Sequence, residues 1–180
     1  ALGYCLTGCL RLFGGVSAAH PRINLELRAA KARRSRVTVR EQAHIDAFER
    51  AVMGEMCEAG EMWDAVLQKF PHDMMAAKCA HEAYYLVGES DRMRRSVMQI
   101  LPAWGEDRPY YGYLLGMGAF GLEEAHDYRL AEDMGRKAFE LEPADCWAVH
   151  AVAHVMEMEG RREDGIAWLE GSRKHWNGAR

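Results

Sequence analysis

Long hydrophobic runs are missing from this 180-residue chain. No apolar stretch reaches the roughly 18 residues that a bilayer-spanning helix requires. Alternation of apolar and polar residues is scarce too, which removes the pattern of half-buried strands. Positive charge is not in excess: 23 Lys and Arg stand against 27 Asp and Glu, for a net charge of −4. That balance excludes the global basic footprint of a nucleic-acid-binding domain. Cysteine is sparse, with Cys5, Cys9, Cys57, Cys79 and Cys146 odd in number and scattered. Such a set does not form a secreted disulfide framework and fits a reduced, cytoplasmic location. Cys5 and Cys9 lie one helical turn apart, but a structural zinc site needs two more ligands at comparable spacing, and none follows. There is no Gly-rich phosphate loop, nucleophile elbow or Cys/His pair with an orienting third group.

What remains is helix. Hydrophobic residues make up 49% and charged residues 28% of the chain, an ordinary globular balance. Apolar residues at helical spacing predict ten helices, over 2–13, 21–34, 39–56, 60–70, 73–88, 90–101, 109–125, 128–141, 145–159 and 163–175. Gly14-Gly15, Gly60, Gly88 and Gly160 are expected at helix ends, and Pro71, Pro102, Pro109 and Pro143 punctuate the other junctions. The opening ALGYCLTGCLRLFGG has an apolar centre, but Arg11 and its helical spacing mark a helix rather than a signal peptide.

Internal repetition narrows the fold. The run PYYGYLLGMGAFGLEEAHDYRLAEDMGRKAFELE begins at Pro109 and is 34 residues long. The next run, PADCWAVHAVAHVMEMEGRREDGIAWLEGSRKHW, also begins with Pro and has the same length. Stacked, Tyr113 falls on Trp147, Leu122 on Met156, Glu123 on Glu157 and Tyr128 on Arg162. A period of 34 is the tetratricopeptide length. Ala131 and Ala138 occupy the small-residue positions where the helices of one hairpin approach, and Gly8 takes the helix-contact position of the first unit. Earlier units are degenerate: one starts near Met74 with four extra residues before the next, and another starts near Asp46. The expectation is an all-α fold of tetratricopeptide-like helical hairpins stacked into a right-handed superhelix, an α-solenoid. Residues 1–180 read as one domain of about five hairpins, part of a longer array.

In this repeat the first helices line a concave groove and the second helices form the outer layer. For the last unit the packing set is Val149, Val152, Ala153 and Met156, all apolar at i, i+3, i+4, i+7. The groove set is Trp147, His150, His154, Glu157 and Met158, on the other side of the same helix. One unit earlier it is Tyr113, Gly116, Phe120, Glu123 and Glu124; before that it is Met75, Lys78, Glu82, Tyr85 and Leu86. The groove is therefore aromatic, acidic and histidine-bearing. The Lys, Asn and Arg donors that would clamp a C-terminal carboxylate are replaced in the last two units by Gly116, Phe120 and Glu124 and by His150, His154 and Met158.

His150, His154 and Glu157, at i, i+4 and i+7, could ligate a divalent ion, with Glu123 on the neighbouring helix as a further partner. The competing reading makes the imidazoles groove-wall residues bonded to Glu123 or to a peptide. The spacing is not the HExxH zinc signature, because Ala151 follows His150. His81 falls on a packing position and reads as a core histidine, whereas His20 and His44 look like turn or cap residues. The eleven methionines read as adaptable core filler. The basic run Arg28 to Arg36, with five positive charges in nine residues, reads as a solvated helix end rather than a nucleic-acid patch.

The stretches AAKCAHEAYYLVGES, LPAWGEDRPYYGYLLGMGAFGLEEAHDYRLAEDMGRKAFELEPAD and AVHAVAHVMEMEGRREDGIAWLE together resemble the tetratricopeptide repeat protein 38 family, most strongly from Arg40 to Trp176. The phrase HAVAHVMEMEGR, His150 to Arg161, is the most specific part. The resemblance implies a helical-repeat fold and a cytoplasmic location; it carries no catalytic role, and it implies further C-terminal helices rich in His and Trp. The leading expectation is a non-enzymatic scaffold that binds a peptide or protein, of basic character, in its groove through Tyr113, Phe120, Glu123, Glu124, Trp147, His150, His154 and Glu157. No cofactor, nucleic acid or membrane enters this reading, and self-association is a further expectation. The alternative is a small-molecule or metal-dependent enzyme with a His/Glu site completed by the C-terminal helices.

Overall fold

Ten α-helices and no strand occur among the described residues, 1–176 of the computed structural model. Residues 177–180, the end of the span expected to be one domain, lie outside them. The chain divides into two compact units, one from Ala1 to Glu89 and one from Ser90 onward. The first holds α1 (Leu2–Phe13), α2 (Pro21–Lys31), α3 (Val39–Val52), α4 (Met56–Lys69) and α5 (Met74–Leu86). The second holds α6 (Ser90–Met98), α7 (Tyr111–Glu124), α8 (Tyr128–Leu141), α9 (Cys146–Met158) and α10 (Arg162–Trp176). Among the described residues no helix is long and apolar enough to cross a membrane.

A left-handed residue ends every odd-numbered helix. Gly15 (φ 85°), Gly54 (φ 86°), Gly88 (φ 72°), His126 (φ 64°) and Gly160 (φ 73°) each lie just past α1, α3, α5, α7 and α9. At each of these turns the next residue's N–H reaches back five positions, as Glu55 to Arg50, Asp127 to Leu122 and Arg161 to Met156, satisfying a carbonyl the helix would leave orphaned. The 34-residue beat with four extra residues before the Pro109 unit is therefore written in backbone conformation. Four of the five are glycine, the residue that adopts positive φ without a Cβ penalty. Helix starts have their own signals: Thr38 and Glu41 form a reciprocal capping box on α3, and Asp73 and Asp145 accept N–H bonds from Ala76 and Trp147 at the starts of α5 and α9.

Two sequence expectations fail in the first unit. The stretch AVMGEMCEAGE offers two glycines as a helix stop, and Gly60 was expected to be it. The turn is made at Gly54 instead, so α4 begins at Met56 and carries Gly60 inside it. Gly60 is there for space: a Cβ would lie 2.6 Å from the Tyr84 ring of α5. Gly8 does the same for α3, its notional Cβ falling 2.1 Å from the Phe48 ring, as its helix-contact position predicts. Phe48, Trp63 and Tyr84 are almost wholly buried between these helices. Each contributes on the order of 2–3 kcal/mol relative to an exposed ring.

The second correction is His44. It is neither turn nor cap but a fully buried residue of α3, whose Nε2 lies 2.9 Å from the Asp73 carboxylate. Asp73 thereby caps α5 while held by His44 and, at 3.3 Å, by Arg40. Although burial opposes ionisation, the His44 and Arg40 contacts hold the Asp73 carboxyl below its usual range. His20 does cap α2, accepting from the Arg22 N–H at 3.2 Å. Cys5, Cys9 and Cys79 are buried thiols; burial pushes Cys5 up to about 12, and Cys9 is raised by its contact with Cys79 and by burial. The basic run is a helix end with local partners: Lys31 pairs with Glu49, Arg34 with Asp46, and the Arg33 guanidinium lies 4.8 Å from the Tyr4 ring centroid.

In the second unit α7 packs against α6, α8 and α9, which is why YGYLLGMGAFGLEE is apolar almost all round. Its glycines mark close approach. A Cβ at Gly121 would meet the α6 backbone at Arg94 at 3.1 Å, and one at Gly118 would meet the Met134 sulfur of α8 at 2.6 Å. Helix α9 then lies across the α7–α8 pair: Ala148 packs with Leu115 and Ala138, and Val155 packs with Leu122 and Ala131. A Cβ at Gly135 would lie 2.6 Å from Val152. Helix α10 is pinned to α9 by the Trp168 indole N–H, which donates to the Val149 carbonyl at 2.9 Å.

Candidate functional site

The α7 and α9 helices run past each other with their groove positions side by side. The sequence of α9 explains how. Asp145 caps its first turn, the stripe Ala148, Val152 and Val155 faces α7 and α8, Val149, Ala151 and Met156 are buried as well, and Trp147, His150 and Glu157 are exposed. Five of the eight expected groove residues converge there. Phe120 lies 6.1 Å from Trp147 and 6.0 Å from His150, ring centre to ring centre. Trp147 meets His150 edge-on at 5.5 Å, and the imidazoles of His150 and His154 are 4.2 Å apart. Glu123 completes the group, with Oε2 3.7 Å from His154 Nδ1.

Exposure divides these residues by role. Phe120 and Glu123 are only 6% and 5% exposed, whereas Trp147 is 52% exposed. The aromatic wall is therefore backed by Phe120 and presented by Trp147. Glu123 is the unusual member. Its Oε2 is buried and, among the described residues, has no hydrogen-bond partner, since His154 Nδ1 at 3.7 Å is beyond hydrogen-bond length. Burial raises its pKa, His154 partly offsets that, and the adjacent Glu124 adds to the rise. His150 is lowered, first by burial and then by the neighbouring His154. An acid that resists ionising thus lies beside imidazoles, one of which resists protonation.

The other three expected residues lie around this cluster. Tyr113 faces Tyr110 at 6.5 Å, and its phenol is raised by burial and by the charges of Glu142 and Asp145. Glu124 is half-buried at the end of α7, and Glu157 is exposed. Glu157 shares with His150 and His154 the wall of a cleft of about 1110 Å³ between α9 and α10. The second wall of that cleft, Arg161, Arg162, Glu163, Asp164, Ile166 and Leu169, was not anticipated from sequence. Second helices were assigned to the outer layer, and the signal that could have found them is apolar: Ile166 and Leu169 at i, i+3 on an otherwise charged helix. For metal, His150, His154 and Glu157 share a face, but among the described residues no three His, Cys, Asp or Glu side chains converge tightly enough to hold an ion.

No family model matches the chain. Solved structures do resemble it. MamA MSR-1 is 16% identical with a TM-score of 0.60, over 99% of this chain and 98% of that one. MamA AMB-1 is 17% identical with a TM-score of 0.58, over 99% and 93%. These are tetratricopeptide-like helical-repeat proteins, and at such identity the likeness speaks to fold alone: this chain has an all-α, tetratricopeptide-like helical-hairpin fold.

Proposed function

We propose that this protein is a non-enzymatic helical-repeat scaffold that binds a peptide or protein segment along the α7–α9 groove, working in the cytoplasm as a relative of the tetratricopeptide repeat protein 38 family. The observation that carries the reading is the α7–α9 cluster itself, in which the exposed Trp147 and His150 rings stand against Phe120, with the Glu123 carboxylate behind them at 3.7 Å from His154. Trp147 offers exposed aromatic area, Tyr113 adds a partly exposed ring nearer the start of α7, and Glu124 and Glu157 add negative charge. A partner with a lysine, arginine or amine group fits this chemistry better than an anionic one. The family relationship rests on the HAVAHVMEMEGR phrase, which supplies both histidines of the cluster.

Pull-down from cell extract with the wild-type chain and with a His150→Ala/Glu123→Ala variant tests the proposal. Loss of a defined set of basic partners is expected, and identical partner lists would sink it.

A further inference from the structure

Two aromatic stations lie along the groove face of α7. Tyr113 and Phe120 are seven residues apart on that helix, so they share a face and stand about 10 Å apart along the axis. At the first station Tyr113 is half-buried, and Tyr110, 63% exposed, stands 6.5 Å from it. Tyr110 holds φ 71° at the start of α7, a conformation uncommon for any residue with a Cβ. At the second station Phe120 backs the exposed Trp147, ring centre to ring centre 6.1 Å.

Each station has carboxylates beside it, and at the first station glycines let them approach. A Cβ at Gly112 would lie 2.8 Å from the Glu142 Cβ, and one at Gly116 would lie 2.2 Å from the Asp145 carboxylate. At Phe120 the acids are Glu123 and Glu124, one turn further along α7. Glu123 Oε2 is buried without a hydrogen bond among the described residues. Residues 111–124 and 142–158 hold five Asp and Glu and no Lys or Arg, with His150 and His154 as their basic side chains. The cations of neighbouring elements pair elsewhere: Arg94 with Asp91, Arg129 with Asp133, Arg136 with Glu132 and Lys137 with Glu106. Arg161, past α9, pairs with Glu132 and Glu159, and Arg108, before α7, follows Asp107 in an exposed turn. No residue of either station lines the α9–α10 cleft.

An aromatic ring takes the apolar stem and cationic head of a lysine or arginine, and a carboxylate beside it accepts the head's hydrogen bonds. We infer that the α7–α9 groove takes a peptide with two basic side chains three residues apart, one at Tyr113 and one at the Phe120–Trp147 pair; this rests on the groove reading proposed above and names its partner. The spacing follows from the two turns of α7 between the stations. A polyproline II segment has three residues per turn and rises about 3.1 Å per residue, so side chains i and i+3 project to one side about 9 Å apart. A strand would send i and i+3 to opposite faces, and its same-face pairs, about 6.6 and about 13 Å apart, miss the stations. The bound segment is therefore extended and left-handed, with any two residues between its basic pair.

Fluorescence anisotropy with labelled proline-rich host peptides tests this, each carrying one lysine or two lysines separated by one to six positions. Separation three should bind best, at least about tenfold tighter than a single lysine, because the second contact becomes intramolecular. Tyr113→Ala should bring that peptide down to single-lysine affinity, while single-lysine binding itself changes by no more than about twofold. Tyr113→Phe, which keeps the ring, should keep the preference, and circular dichroism checks that each variant is folded. Affinity indifferent to spacing, or a preference that survives Tyr113→Ala, would overturn the paired-site inference and leave the groove reading standing. Equal binding of the same peptides with glutamate in place of lysine would overturn the basic specificity. If no lysine peptide binds up to about 1 mM, the inference fails, and the pull-down with His150→Ala/Glu123→Ala judges the groove reading separately.

Discussion

Glu123 sits on the α7 face beside His154 at a cost to the fold. Its pKa is raised by burial, so the folded state holds the proton more tightly than the unfolded chain does. Stability from this group is complete below the ordinary carboxyl range and is lost as pH rises through the raised value. Glu123→Gln removes the charge and keeps the shape. At pH 7–8 the variant should be more stable by about 1 kcal/mol in urea titration, with the gain vanishing in acid. The same variant should lose affinity for a basic peptide. His81 works the other way. Fully buried, it is pushed from 6.5 down to about 3, chiefly by burial and secondly by Lys78. The unfolded chain binds that proton first, so stability should fall as pH drops from about 6.5 toward 3, with a slope approaching about 1.4 kcal/mol per pH unit. In His81→Gln, this part of the acid sensitivity should disappear from pH-dependent urea midpoints. His81 was legible as a core residue because its helical phase places it among alanines. His44 was not, because Asp73, the partner that keeps it inside, is 29 residues away and looks like a surface cap in sequence.

Among the helices, glycine position separates packing from backbone. Gly60 and Gly171 are both interior to helices, yet a Cβ at Gly60 meets the Tyr84 ring at 2.6 Å while one at Gly171 meets nothing within 4 Å. Gly60→Ala should therefore destabilise by about 1–3 kcal/mol through the displaced ring. Gly171→Ala should stabilise by up to about 1 kcal/mol, because only helix propensity changes. Thermal melts of the two variants, shifting in opposite directions, would verify the distinction. Helix number and type were readable from periodicity, and the 34-residue offset fixed which helices are equivalent. Boundaries were less so: Gly54 and Gly60 compete for one turn, and only the contact with Tyr84 decides that Gly60 stays helical. On α9, Ala148 and Val155, which pack on α7 and α8, were missing from the expected packing set, and only the burial of Val149, Val152 and Met156 was legible from helical phase. Burial of Phe120 and Glu123 was not, because it depends on how closely α9 crosses the glycine-rich α7; a Cβ at Gly116 would lie 2.2 Å from the Asp145 carboxylate.

For the whole molecule, the sign of charge is unevenly distributed: residues 1–36 hold seven Lys and Arg against a single acid, Glu26, within a net charge of −4. Net charge alone conceals this, and so does composition.

The left-handed turn residues divide the chain into interchangeable lengths. Asp127 to Gly160 is one full 34-residue beat that starts just after one such residue and finishes on the next. A tandem duplication of that stretch would join Gly160 to Asp127, a turn of the same form as the one it replaces. The enlarged protein should fold with a helix count raised by two and its original ends intact, making the polypeptide extensible in units of a single gene segment.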